Sequence, residues 1–473
     1  MVFSSITFLI FFFPAFLLIY QFIDKKYKNA FILCASIFFY AWGAPKFIFI
    51  LLATTTLDFY LVKALDNSTT ERKRKLLLVT SLLMNLSLLA YFKYANFFIE
   101  NVNAVLNVAG FTNVTWTQII LPIGISFYTF ETVTYVVDVY RKVHKPLNNF
   151  WDYQLYIILF PKLIAGPIVR FHSIADQITE RNETIDDKIH GFTRFCVGLA
   201  KKVLIANVLG AQADVIMNQN PESLTTASTW VGIMAYTFQI YFDFSGYSDM
   251  ALGIGKMIGF TFPENFNNPY NATSITEFWR RWHISLGAWM KNYLYIPLGG
   301  NKVDTQWRLF FNLWLVFLIS GLWHGASWNF VIWGAFHGFF LIIDKAILLK
   351  FLAKIGKLPS VLFTFIIVMI GWVFFRIEGL AQALHYIKKM FAFNFHTNNL
   401  HTSLEFKCTL VLAIIISFIH LFKIGEKLQT VVYNGANTLK WYIPALLISF
   451  IMYTLSVAAV TTSTFNPFIY FRF

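Results

Sequence analysis

Charge is scarce in this sequence. Only 13% of its 473 residues are Asp, Glu, Lys or Arg, while 57% are hydrophobic; a soluble domain carries roughly 25% charged residues and about 45–50% apolar ones. A soluble globular fold is therefore excluded. Cysteine is scarcer still. Cys34, Cys196 and Cys408 stand far apart in apolar surroundings, which gives neither a disulfide framework nor a metal-binding pattern. They read as packing residues, and no metal is expected. Internal repeats, low-complexity tracts and flexible linkers are missing too, which argues for one membrane domain over residues 1–473 and against the mirrored halves of many transporters. Soluble-enzyme motifs also fail. There is no HExxH, P-loop or GxSxG elbow, and Gly253, Gly255 and Gly259 have the wrong spacing for a dinucleotide loop, with no strand before them.

What fills the chain instead is apolar sequence in runs long enough to cross a bilayer, each needing about 20 residues. The clearest are 3–21, 77–92, 118–137, 309–343, 360–375 and 407–422. Backbone groups in such runs must be bonded internally, so they predict helices rather than a barrel. The fold class that follows is an all-α polytopic integral membrane protein, with on the order of ten to twelve transmembrane or re-entrant helices. Residues 3–21 lack a basic n-region and a small-residue cleavage site, and Lys25, Lys26 and Lys28 follow directly; this predicts a retained first helix rather than a signal peptide.

The positive-inside rule then propagates along the chain. Residues 29–62 are too long for one crossing, and a break is predicted at Trp42-Gly43-Ala44-Pro45. The resulting hairpin meets Arg72, Lys73, Arg74 and Lys75. Residues 98–117 contain no Lys or Arg and read as external, and the next crossing ends at Arg141, Lys142 and Lys145. Three basic clusters on one side place that side in the cytoplasm. The net charge of +14 is thus a topology signal plus attraction to anionic lipid headgroups. Nucleic-acid binding needs a basic face on a soluble module, and none is present.

Polar residues inside this apolar background carry the functional signal. Leu309 to Ile343 contains no Asp, Glu, Lys or Arg in 35 residues. That exceeds one crossing, so a turn is predicted near Ser320-Gly321 or Gly325, and His324 sits at it. Irregular backbone at membrane depth is tolerated only where it is buried in protein or lines a cavity. His324 is therefore either a cavity-lining group or a histidine bridging two helices. His337, thirteen residues on, falls on a different face of a continuous helix and reads as structural. Glu277-Phe-Trp-Arg-Arg-Trp-His283, followed by Trp289, Lys291, Tyr293 and Tyr295, alternates basic and aromatic residues. An interfacial anchor explains Arg280, Trp282 and Trp289 but not His283. Tyr128, Glu131, Tyr135 and Asp138 share one helix face, and Asp243 and Asp249 lie beside a long apolar run. Each pair of carboxylates belongs to an ion pathway or to a packed polar network, the commoner case.

Together these segments resemble the membrane-bound O-acyltransferase family, and within it the bacterial polysaccharide O-acetylase branch. The resemblance rests on an ordered series: Met1-Val-Phe-Ser-Ser, Tyr91-Phe-Lys-Tyr-Ala-Asn96, Leu121-Pro-Ile-Gly-Ile-Ser-Phe127, Leu163-Ile-Ala-Gly-Pro167, the Asp243–Asp249 segment, Asn265-Phe-Asn-Asn-Pro-Tyr270, Phe278-Trp-Arg-Arg-Trp-His-Ile-Ser285 and Trp323-His-Gly325. It implies a helical core round a central tunnel, with the catalytic part at about residues 121–345. His324 matches the family's near-universal histidine, and His283 the second polar position upstream.

The chemistry implied is acetyl transfer from a cytoplasmic thioester, with acetyl-CoA as donor and no tightly bound cofactor, towards an acceptor outside. Arg280, Arg281 and Lys291 are expected to hold the donor phosphates. Neutral His324 Nε2 is expected to take the proton of the attacking hydroxyl, worth typically 10²–10⁴-fold; a transient acetyl-imidazole on His324 is the alternative. His283, the Tyr293 hydroxyl and the Asn329 amide are the expected oxyanion donors, with Asp243 among the substrate-binding residues. The resemblance also implies a separate periplasmic acetyltransferase of the SGNH type as partner, in keeping with the lack of a large soluble segment to bind a glycan. Alginate and peptidoglycan are the candidate acceptors. The 54 Phe, and 27 Lys against 11 Arg, are usage typical of AT-rich genomes, which leans towards peptidoglycan. Two other classes make different predictions: a transporter requires a charge pathway open to both sides, and a scaffold for the periplasmic partner requires dispensable histidines.

Overall fold

The computed structural model describes residues 1–395, 402–433, 435, 437–463 and 465–467. Among them the regular structure is helical throughout, with no strand, as the apolar runs predicted. Six stretches are long and apolar enough to cross a membrane: Phe47–Asp66, Glu71–Val108, Ile185–Met217, Lys357–Arg376, Leu404–Leu421 and Leu439–Thr462. Two compact units divide the chain, and residues 121–345 contribute to both.

The first unit comprises Met1–Asn182 with Gly259–Phe262. Its helices are α1 (Phe13–Phe22), α2 (Lys28–Gly43), α3 (Phe47–Asp66), α4 (Glu71–Val108), α5 (Ile125–Tyr140), α6 (Phe150–Ile158), α7 (Phe160–Leu163) and α8 (Phe171–Thr179). The break between α2 and α3 falls at Ala44–Lys46, at the predicted position, where Pro45 cannot continue the hydrogen-bond ladder. One expectation is corrected. Residues 98–108, read as part of an external loop, continue α4, whose 38 residues span about 57 Å; the loop begins at Ala109. Every residue of α5 from Ile125 to Val136 is buried, and its carboxylates are internally paired. Glu131 bonds Lys162, and Asp138 bonds His172 Nδ1 at 2.7 Å, so this face is a packed network. The basic clusters gather at one end of the unit. Arg74 donates to the Tyr140 carbonyl at 2.8 Å, Asn29 to the Ile178 carbonyl at 2.8 Å, and His144 meets Asp176 at 3.2 Å.

The second unit comprises Glu183–Ile258 and Pro263–Phe473. It contains α9 (Ile185–Ala200), α10 (Asn207–Met217), α11 (Thr226–Met257), α12 (Ile275–Arg281), α13 (Ile284–Met290), α14 (Gln306–His324), α15 (Trp328–Ile343), α16 (Leu349–Ile355), α17 (Lys357–Arg376), α18 (Leu380–Met390), α19 (Leu404–Phe418), α20 (Lys423–Tyr433) and α21 (Leu439–Thr462). α11 is buried along nearly its whole length. It packs on α9 through paired glycines, since a Cβ on Gly191 or Gly253 would meet the other's carbonyl oxygen at 2.6 and 2.5 Å, and Gly198 and Gly246 are related in the same way. Small residues let helix backbones approach this closely. Gly253, one of the glycines that fail as a dinucleotide loop, thus serves as a helix contact.

Candidate active site

The apolar run 309–343 folds into the α14–α15 hairpin. α14 ends at His324, Gly325 adopts an extended conformation (φ −161°), and α15 begins at Trp328. The predicted break is present, and close packing explains it. A Cβ on Gly321 would overlap the Phe330 carbonyl, one on Gly334 the Phe317 carbonyl, and one on Gly325 the Phe330 ring. The glycines therefore draw α14 and α15 together and hold His324 at the hairpin's tip, where it is 7% exposed.

His283 reaches the same region from the corner between α12 and α13. Its backbone is left-handed (φ 46°, ψ 53°), a conformation that costs a non-glycine residue about 1–3 kcal/mol and persists only where the surroundings over-determine it. The segment around Asn265 supplies that constraint. The Asn265 carbonyl accepts from Ile284 N–H at 2.9 Å, and Asn267 N–H donates to the Arg281 carbonyl at 2.9 Å. Asn265 Oδ1 meets His283 Nδ1 at 3.1 Å, Ser285 N at 3.2 Å and Ser285 Oγ at 2.9 Å. The His283 side chain is 1% exposed, and burial holds its pKa below the usual histidine range.

The two imidazole rings lie 6.4 Å apart, centroid to centroid, at 61°. Aromatic rings surround the two imidazoles: Phe244 stands edge-on to His283 at 4.7 Å, and Trp323, Trp333 and Phe375 lie 4.9, 5.1 and 5.4 Å from His324. Such packing limits water and strengthens electrostatic interactions inside it. A cavity of about 770 Å³ adjoins on the Asn265 side, its lining including Ser248, Asn265 and Ile284 together with Lys201, Asp249 and Tyr433.

The other expected residues divide into two groups. Arg280 and Lys291 are exposed, on the short α12–α13 segment that carries His283. Arg281 is half-buried and spends its guanidinium on Glu277 at 2.7 Å, and the Tyr293 ring packs on Trp289 at 5.5 Å. Asn329 and Asp243 have partners within the fold. The Asn329 amide donates to the Ile377 carbonyl and to the Phe374 carbonyl at 3.4 Å, while its oxygen accepts from Gly379 N–H at 3.1 Å. It clamps α15 to the end of α17. Asp243 is buried against Lys202 at 2.7 Å, which balances its charge within the fold. Asp249 is likewise held, by Lys201 at 2.6 Å and Arg194 at 2.9 Å. His337 is structural, as expected. It accepts from Trp279 Nε1–H at 3.4 Å and packs against Trp333 at 5.1 Å. The residues that sequence reasoning left without a role are Asn265, Ser248 and the surrounding aromatic rings. The Asn265-Phe-Asn-Asn-Pro-Tyr270 series marked the segment but not its target.

Comparison with known proteins shows the family. A family model described as "MBOAT, membrane-bound O-acyltransferase family" matches residues 30–377, which include both histidines. The chain is 40% identical over 504 aligned residues to a "Probable alginate O-acetylase" of Azotobacter vinelandii, covering all of both chains. It is 45% identical over 397 residues to a protein of the same name from Pseudomonas aeruginosa, covering 83% of this chain and 75% of that one. Similarity extends to a "Peptidoglycan O-acetyltransferase" of Helicobacter pylori, at 35% over 429 residues, covering 83% of this chain and 80% of that one.

Proposed function

Because this chain belongs to the membrane-bound O-acyltransferase family, and is a multi-pass membrane O-acyltransferase, we propose that it passes acetyl groups from a cytoplasmic thioester across the bacterial inner membrane for O-acetylation of an extracytoplasmic polysaccharide. The observation that carries this reading is the pair of buried imidazoles, His283 and His324, 6.4 Å apart among packed aromatic rings. Acetyl-CoA is the donor in this reading. Its phosphates stay at the aqueous face, where the exposed Arg280 and Lys291 supply charge-assisted contacts, and only the acetyl arm reaches the imidazoles.

There His324 takes the proton of the acceptor hydroxyl as its oxygen attacks the thioester carbonyl. The new C–O ester bond forms and the C–S bond breaks. The sulfur leaves as the thiol, taking back the proton from the imidazolium. A base contributes about 10²–10⁴-fold, so holding the two reactants in line supplies much of the remainder. A periplasmic SGNH-type acetyltransferase completes delivery to the polymer.

Two acceptors follow. Residue usage favours peptidoglycan, whereas the higher identities, 45% against 35%, favour an alginate-type polymer. Mass analysis of cell-wall and secreted glycans, with the gene deleted and with His324→Ala in its place, decides both points. One polymer is expected to lose its acetate in both strains while the His324→Ala protein stays at its normal level in the membrane. Normal acetylation of every glycan in the variant overturns the reading.

A further inference from the structure

The hydrogen bonds around His283 determine which of its nitrogens carries the proton. Asn265 Oδ1 lies 3.2 Å from the backbone N–H of Ser285. A backbone N–H only donates, so this corner of the Asn265 amide must be the oxygen. Its other corner, Nδ2, then donates to Ser248 Oγ at 2.9 Å, a hydroxyl that accepts this bond. An amide oxygen only accepts. The third group on it, His283 Nδ1 at 3.1 Å, must therefore be the protonated nitrogen. In a neutral imidazole the other nitrogen is then a bare acceptor. That atom, His283 Nε2, is shut away from solvent and has no hydrogen-bond partner among the described residues. A buried acceptor left unsatisfied costs about 1–3 kcal/mol. Phe244, Trp323 and His324 are rings beside the His283 imidazole, at 4.7, 6.1 and 6.4 Å between centroids.

We propose that Asn265, anchored by Ser248, is a positioning residue that locks His283 in the Nδ1–H tautomer, so that Nε2 is left bare in the ring beside His324. This inference rests on the acyl-transfer reading for its purpose, though not for its geometry. It reverses the role expected of His283. A neutral ring so held receives a proton or a hydrogen bond from the acceptor hydroxyl; it does not donate to the thioester oxygen. The two imidazoles then form one proton-accepting pair, and the oxyanion is stabilised by other donors. A partner on the far nitrogen is the usual means of setting a functional histidine's tautomer; for metal-bound histidines, the analogous case, its loss typically costs about 10–100-fold.

The test uses the full-length protein, labelled with ¹⁵N-histidine and held in lipid nanodiscs, because protonated and bare ring nitrogens have well-separated ¹⁵N resonances. The His283 signals are identified by their loss in His283→Gln. Wild type is expected to show a protonated Nδ1 and a bare Nε2. Asn265→Asp, which keeps an acceptor oxygen, is expected to retain that pattern and much of the acetylation. Asn265→Leu is expected to mix the tautomers and to lower acetylation 10–100-fold at equal membrane abundance. A protonated Nε2 in wild type overturns the proposal, as does an Asn265→Leu protein with unchanged spectrum and activity. If Asn265→Leu fails to fold, the wild-type and Asn265→Asp spectra still decide. Should His324→Ala retain full acetylation while the tautomer is as stated, the acyl-transfer reading fails and the positioning by Asn265 stands.

Discussion

At the scale of single residues, the chain separates charges that are spent inside the fold from charges that remain available. Arg281 is bound to Glu277, Asp243 to Lys202, and Asp249 to Lys201 and Arg194, whereas Arg280 and Lys291 are exposed beside the His283 segment. If these two hold the donor's phosphates, the double variant Arg280→Ala/Lys291→Ala raises the KM for acetyl-CoA several-fold and leaves kcat near its wild-type value, because the binding lost is equal in the ground and transition states. The expected effect also shrinks as salt is raised, since exposed charges are screened. Steady-state kinetics in proteoliposomes at two ionic strengths check this; an unchanged KM rejects the assignment. Arg281→Ala gives a different result, since it leaves the half-buried Glu277 without its partner and loosens α12.

At the scale of elements, the site is the meeting of two helix-breaking corners. The α14–α15 turn brings His324, and the α12–α13 turn brings His283. The first corner depends on backbones in contact at Gly321 and Gly334. Gly334→Leu places its Cβ on the Phe317 carbonyl, a backbone atom that no rotamer change can move. The cost is expected to exceed the roughly 1–3 kcal/mol of ordinary overpacking, because the two helices must separate. The melting temperature of the detergent-solubilised protein should fall by several degrees, and acetylation should fall with it as His324 shifts away from His283. Much of this was legible beforehand. A charge-free run of 35 residues had to fold back, and the glycines near Ser320 and Gly325 were the places for it. The position of His283 was not legible. It depends on Asn265, eighteen residues upstream, whose side chain reaches it only through the irregular segment between α11 and α12.

At the scale of the whole molecule, composition dictates a helical membrane protein, and the distribution of Lys and Arg predicts its orientation. Within the first unit the three basic clusters gather at one end, as the positive-inside rule requires of cytoplasmic loops. This predicts that single cysteines at Ser68 and Asn113, on either side of α4, take up an impermeant thiol reagent from opposite faces of the membrane. The experiment needs a background in which Cys34, Cys196 and Cys408 are replaced. Reaction of both positions from the same face refutes the orientation. The length of α4 was not legible, because polar helical turns beyond the hydrocarbon region carry no apolar signal: residues 98–108 read as loop and are helix. The class of protein and the hairpin breaks were determined by sequence alone, since each follows from composition or local backbone chemistry; the ordered motif series singled out the two histidines. The spending of Asp243 and Asn329 on internal partners, and the coupling of Asn265 to His283, were decided only by tertiary structure. A polar side chain in an apolar chain must find a partner, and which partner it finds depends on residues brought together by packing rather than by sequence.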